Sequence, residues 1–238
     1  MKLKICHMYN DVLNLYGDRG NVLCLQKRLS WRGIESEVVK LPVGEFRSLA
    51  DFDIVFIGGG QDFEQEVLLD DLHRGKDKEI KAAIEDGVSF LTICGGYQMM
   101  GNFYQTYDGV RCDFIGAVDL HTVGGKERMI GNYKFRWGDT TVVGFENHSG
   151  KTYLGAGVEP LGQVLVGFGN NGEDGTEGVH YKNLLGTYSH GPLLPKNPAL
   201  ADHILRTALE RKYGIKELAE LDDTAETLAH DAMCEKIK

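Results

Sequence analysis

The chain has 238 residues, long enough for one large domain with a well-buried core. Lys and Arg total 26 against 35 Asp and Glu, a net charge of −9, so no broad basic surface is offered to nucleic acid or anionic lipid. No apolar run reaches the length of a membrane span and the start lacks a secretory signal. The five cysteines include no Cys-x-x-Cys pair, so the pattern argues against a disulfide framework or a zinc site and predicts a cytoplasmic, reduced chain.

In chain order, Lys2 to Tyr9 reads as a strand, Asn21 to Arg32 as a helix, and Glu35 to Leu41 as a strand. Asp53 to Gly60, "DIVFIGGG", reads as a buried strand leaving through glycines, followed by helical sequence from about Phe63 to Glu85. Val88 to Ile93 is a short apolar run of the kind found inside a parallel sheet covered on both faces. This β-α-β order predicts an α/β fold: a mostly parallel sheet with helices on both faces. After Asp108 the pattern turns to short strands, expected to be antiparallel additions to the same sheet. Asn197 to Tyr213 reads as a covering helix. The expected division is a domain over residues 1–214 and a C-terminal amphipathic helix over 215–238. The tail spaces Leu218, Leu221, Ala225, Leu228 and Ala232 as one apolar stripe, suited to its own domain or to a partner.

The chemistry centres on "VSFLTICGGYQMMG", Val88 to Gly101. A cysteine between a buried strand and two glycines is held out of the sheet on a tight turn, where a Cβ on its neighbours would clash. Cys94 therefore reads as a nucleophile on an elbow. The expected helix over Gly96 to Gln105 would aim its amide end at the sulfur, an arrangement that suits a thiolate. A thiolate attacking an acyl carbon needs oxyanion donors, and the amides of Gly60 and Gly95 are the candidates. It also needs a proton carrier. His190, after a short apolar strand and before Gly191 and Pro192, sits where open α/β sheets build their sites; His148 in "FENHSG" is second. "GFENHSGKT" has five residues between its outer glycines where a P-loop has four, and no G-x-G-x-x-G follows the first strand. The chain thus shows neither a P-loop nor a dinucleotide fingerprint.

Cys94 to Gln98, the glycine-rich strand exit before it and the late strand ending at His190 together resemble a class I (triad) glutamine amidotransferase domain of the cobyric-acid-synthase type. The blocks "YGDRGN", "GGGQDFEQ", "ICGGYQ", "GFENHSG", "EGVHYKN" and "YSHGPLLP", from Tyr16 to Pro195, bring it nearest to the glutaminase subunits of enzymes that amidate lipid II. The resemblance implies a flavodoxin-like fold in which Cys94 and His190 hydrolyse L-glutamine and Gly60 and Gly95 hold the oxyanion. Arg128 would bind the substrate carboxylate, with Gln98 also on the substrate. Glu146, Asn147 and His148 are further candidates. It also implies a heterodimer. A Mur-ligase-like partner carrying ATP and magnesium would use the ammonia on the D-glutamate of lipid II, while this chain holds no cofactor and no metal. Class I enzymes of this kind carry a glutamate two residues after the histidine, where this chain has Pro192. The orienting acid is therefore expected from the partner, with Glu146 as an internal candidate. A stand-alone cysteine hydrolase and a non-catalytic regulatory member remain the alternatives.

Overall fold

A computed structural model describes residues 1–14, 17–60 and 68–238. Two six-stranded sheets carry the fold. The first joins β1 (Lys2–Met8), β2 (Glu35–Leu41), β3 (Ile54–Ile57), β4 (Ser89–Ile93), β11 (Val179–Tyr181) and β12 (Leu184–Thr187) in the order β11-β12-β4-β3-β1-β2. All neighbours run parallel except β11 on β12. β3 and β4 are buried at every position, as suits central strands of a sheet covered on both faces; β3 is wholly apolar and β4 buries Ser89 and Thr92 among apolar residues.

Helices cover this sheet. α1 (Arg19–Trp31) buries Val22, Leu25 and Leu29 and ends before Gly33, whose φ of +66° closes the turn into β2. Leu68 onward is helical up to a break at Gly75 (φ 117°), and α2 (Asp77–Glu85) continues with Ile80, Ala83 and Ile84 buried. The expected helical stretch before Leu68 lies outside the described residues. α4 (Pro198–Tyr213) buries Leu200, Ile204, Leu205, Ala208 and Leu209 and stops at left-handed Gly214.

Two expectations are corrected here. The helix after Cys94, α3 (Gly95–Gln98), is a single turn, and Phe103–Gln105 is strand β5. The later strands do not extend the first sheet, β11 and β12 apart. They build a second one from β5, β6 (Arg111–Asp113), β7 (Leu120–Trp137), β8 (Thr140–Leu154), β9 (Gly162–Val166) and β10 (Thr176–Glu177). Its spine is the β7–β8 hairpin, which bulges between Gly124 and Met129 where β7 carries the extra residues.

Two isolated antiparallel bridges, Phe145 with His190 and Glu159 with His180, tie these parts together. The His190 amide donates to the Phe145 carbonyl at 2.8 Å, which lays β8 across the end of the segment that follows β12. The tail helix α5 (Thr224–Lys236) starts after Leu218 and Leu221, so the stripe is not one helical face. Leu218 packs against the core, and Leu228 is exposed. The tail is instead held through polar contacts to this same chain. Arg28 pairs with Asp223, His230 Nδ1 donates to the Lys196 carbonyl at 2.8 Å, and Lys134 Nζ donates to the Cys234 carbonyl at 2.9 Å.

Candidate active site

Cys94 ends β4 in a backbone conformation that L-residues rarely adopt, φ 49° and ψ −107°. Its amide donates to the Thr187 carbonyl at 2.8 Å and its carbonyl accepts from Gln98 at 2.8 Å, so the strained residue is fixed from both sides. Close packing explains the glycines around it. A Cβ on Gly96 would lie 2.8 Å from the carbonyl oxygens of Ile57 and Gly58. A Cβ on Gly59 would lie 2.6 Å from His190 Cε1 and 3.2 Å from Cys94 Cβ. The strand exit "GGG" is thus the floor against which cysteine and histidine meet.

β3 and β4 run parallel with Ile57 level with Thr92. Three residues beyond these stand Gly60 and Gly95, the amides proposed as oxyanion donors, on adjacent strand ends. Gly95 is buried at the start of α3, and Gly60 is half-buried.

His190 is buried, at 1 % exposure, and its environment is strongly charged. Burial pushes its pKa down, yet the net shift is upward, to about 10. Interaction with Cys94 and with the Asp18 carboxylate outweighs the desolvation. An imidazolium held between sulfur and carboxylate is the result. Asp18 Oδ2 stands 3.4 Å from His190 Nδ1 and accepts from the Gly59 amide at 2.9 Å. Asp18 is fully buried just before α1.

This corrects the expectation of a missing third acid: the chain itself places a carboxylate on His190, from the loop between β1 and α1. Asp18 lies in the "YGDRGN" block, where it received no role because nothing local marks a loop aspartate as a partner for a histidine so distant in sequence. Glu146 is corrected as the internal candidate. Its carboxylate, 1 % exposed, accepts from the Phe168 and Gly169 amides at 2.9 Å each and closes the β9–β10 loop.

Of the other predicted residues, Gln98 and His148 gather around Tyr188. Gln98 Nε2 donates to Tyr188 Oη at 3.0 Å, and Tyr188 also pairs with Thr152 Oγ1 at 2.6 Å. Burial raises the Tyr188 pKa, and the Cys94 charge adds to it, which places the tyrosine near the sulfur. The His148 ring stacks on Tyr188 with centroids 3.5 Å apart, and its Nδ1 donates to the Gly150 carbonyl at 2.8 Å. Asn147 is buried and accepts from Arg128 Nε. Arg128 itself is exposed on the bulged part of β7, a cation anchored through its Nε. Tyr188 was not predicted; its signal was its place two residues before His190. Gln61 to Gln65 of the "GGGQDFEQ" block and Tyr16 lie outside the described residues. Among the described residues no group of histidine, cysteine and acidic side chains is arranged to hold a metal ion.

A buried thiol on an elbow, a histidine facing it and a carboxylate behind the histidine stand together at the strand ends of an α/β fold, an arrangement that suits amide chemistry. The CobB/CobQ-like glutamine amidotransferase domain matches residues 4–198, and the chain belongs to that family. It is a glutamine amidotransferase.

Among its relatives is the GatD subunit of lipid II isoglutaminyl synthase (glutamine-hydrolyzing) from Staphylococcus aureus. That protein is 45% identical over 99% of this chain and 96% of its own length. The subunit of the same name from Streptococcus pneumoniae is 42% identical over 90% of this chain and 83% of its own. A glutamine amidotransferase structure from Thermotoga maritima superposes with a TM-score of 0.57 at 15% identity, covering 99% of this chain and 97% of that one, a likeness of fold.

Proposed function

We propose that this chain is the glutaminase subunit of a lipid II amidating enzyme, and that it works through a thioester on Cys94. The Cys94 sulfur attacks the side-chain carboxamide carbon of L-glutamine, and the carbonyl electron pair moves onto oxygen, held by the Gly60 and Gly95 amides. The C–N bond breaks as the nitrogen takes the His190 proton and leaves as ammonia. A water then gives its proton to His190 and attacks the thioester, releasing glutamate and restoring the thiolate. Asp18 keeps the imidazole oriented through both steps. Arg128, presented by Asn147, takes the substrate α-carboxylate, and Gln98 and His148 line the wall beside it.

The observation that carries this reading is the buried Cys94–His190–Asp18 line at the end of three parallel strands. The two GatD relatives, matched almost end to end, support the acceptor. Amide formation on a carboxyl needs activation, so the reading assigns ATP and magnesium to a Mur-ligase-like partner, which spends the ammonia on the D-glutamate carboxyl of the lipid II stem peptide. No disulfide joins any of the five cysteines, as suits work in the cytoplasm, and no described helix is long and apolar enough to cross a membrane.

The test is ammonia release from L-glutamine by the chain with that partner, ATP and lipid II. Amidated lipid II, lost when Cys94→Ala replaces the wild type, is the expected result. Release without any amidated lipid II would move the acceptor elsewhere, and no release at all would overturn the glutaminase reading.

A further inference from the structure

Glu177, the last residue of β10, is fully buried, and the reaction as derived makes no use of it. Its carboxylate accepts from Thr187 Oγ1 at 2.6 Å and from the Tyr188 amide at 2.9 Å. Thr187 Oγ1 in turn accepts from the Ser189 amide at 3.0 Å, and Ser189 Oγ is hydrogen-bonded to Tyr133 Oη at 2.8 Å. Glu177 therefore grips, directly or through one hydroxyl, three consecutive residues. The first of them accepts the Cys94 amide, the second lays its ring near the sulfur, and the third precedes His190. No other described carboxylate is bonded to this segment.

A glutamine could accept the same two hydrogen bonds. The carboxylate differs in charge, which strengthens both bonds, and in the cost of burying that charge. The titratable groups facing it are Glu146 from β8, Tyr133 from β7, Tyr97 from α3 and Tyr188. Burial first, then the Glu146 charge, push its pKa up to about 7 against the pull of Thr187, Tyr188 and Tyr133. The two bonds therefore gain or lose their charge near neutral pH.

We propose that Glu177 is a positioning residue for the thiol–imidazole pair: its carboxylate fixes Thr187 to Ser189 so that His190 and Tyr188 stand against Cys94. The effect on turnover rests on the thioester reading, but the placement of His190 beside the sulfur does not.

The experiment compares wild type, Glu177→Gln, Glu177→Met and Thr187→Val as full chains. It follows Cys94 alkylation by iodoacetamide and ammonia release from about pH 5.5 to 9, with thermal melts alongside. Loss of the clamp in Glu177→Met and Thr187→Val should slow Cys94 alkylation at neutral pH and lower kcat on the order of 10–100-fold, with KM within about twofold. Glu177→Gln should keep kcat within about threefold and lose the inflection near pH 7. Thr187→Val keeps the charge and decides the matter if Glu177→Met does not fold.

Alkylation and turnover within about twofold of wild type in both Glu177→Met and Thr187→Val would overturn the proposal. Equal losses in Glu177→Gln and Glu177→Met with KM rising in step would do the same, since they mark a merely structural residue. A wild type that is alkylated but releases no ammonia counts against the thioester reading alone, and the alkylation profiles still decide on Glu177.

Discussion

His190 has sulfur on one side and carboxylate on the other, and each neighbour's contribution is separable. Cys94→Ala removes the sulfur that raises the imidazole, so the His190 pKa should fall from about 10 while Asp18 still holds it above a bare buried histidine. An NMR titration of the His190 Cε1 proton reads this directly, and an unchanged midpoint would mean that the sulfur is not the anion beside it.

Asp18→Asn keeps the shape of the side chain and removes its charge. We expect kcat for glutamine hydrolysis to fall on the order of 10²–10⁴-fold, the range seen when an orienting carboxylate is neutralised in a triad. Wild-type kcat in Asp18→Asn would hand the orienting role back to a partner subunit.

Of these residues, Cys94 and His190 were legible in the sequence because each is marked locally, one by glycines after an apolar strand, the other by its place at a strand end. Asp18 was not, since its role exists only once the loop after β1 is folded over β3. Glu177 escaped notice for a similar reason, because a lone carboxylate in a glycine-rich turn reads as solvated. It also carries a stability signature. Its pKa is raised on folding from 4.5 to about 7, so its neutral form is the favoured one in the fold. That stability is fully present below about pH 4.5 and is lost as pH rises through 7, by roughly 2–4 kcal/mol. Denaturant midpoints at pH 5 and 8 should therefore differ more for wild type than for Glu177→Gln.

Among the elements, the exits of β3 and β4 set the tolerance of the site. Gly59→Ala puts a methyl 2.6 Å from His190 Cε1, and the ring must move. A displacement of about 1 Å costs on the order of 10²-fold in rate, so we expect a folded protein with that loss in kcat. A fully active Gly59→Ala would contradict the packing of His190 over this strand.

α1, α4 and the tail are joined by Arg28, 2 % exposed, which is bidentate to Asp202 and pairs with Asp223. Arg28→Met leaves both aspartates without their main partner. Removing one member of such a group costs about 3–5 kcal/mol, so the variant should melt well below wild type and open the tail to protease. The helix pattern predicted α1 and α4 to within a few residues, whereas the tail's attachment was hidden. Its apolar stripe suggested burial through leucines, but only part of it packs, at Leu218, with Ile215 and Ile237 beside the stripe; Leu228 stays exposed and charged groups and backbone carbonyls supply further contacts.

For the whole molecule, the parallel sheet and its strand ends were readable because buried parallel strands have no alternative pattern. The second sheet was not. Short strands separated by glycines carry no information about which neighbour they pair with, and the β7–β8 hairpin runs through Gly124, Gly125 and Gly131, positions that read as breaks. That sheet matters for the site because β8 brings His148 to Tyr188 and meets the segment after β12 at Phe145 and His190.

The central claim is that Cys94 carries the acyl group. Rapid acid quenching of the chain with its partner and L-glutamine, followed by mass spectrometry of the peptide containing Cys94, tests it most directly. We expect a glutamyl adduct on Cys94 that is alkali-labile and absent, together with ammonia release, from Cys94→Ala. Ammonia release by Cys94→Ala at the wild-type rate would contradict it.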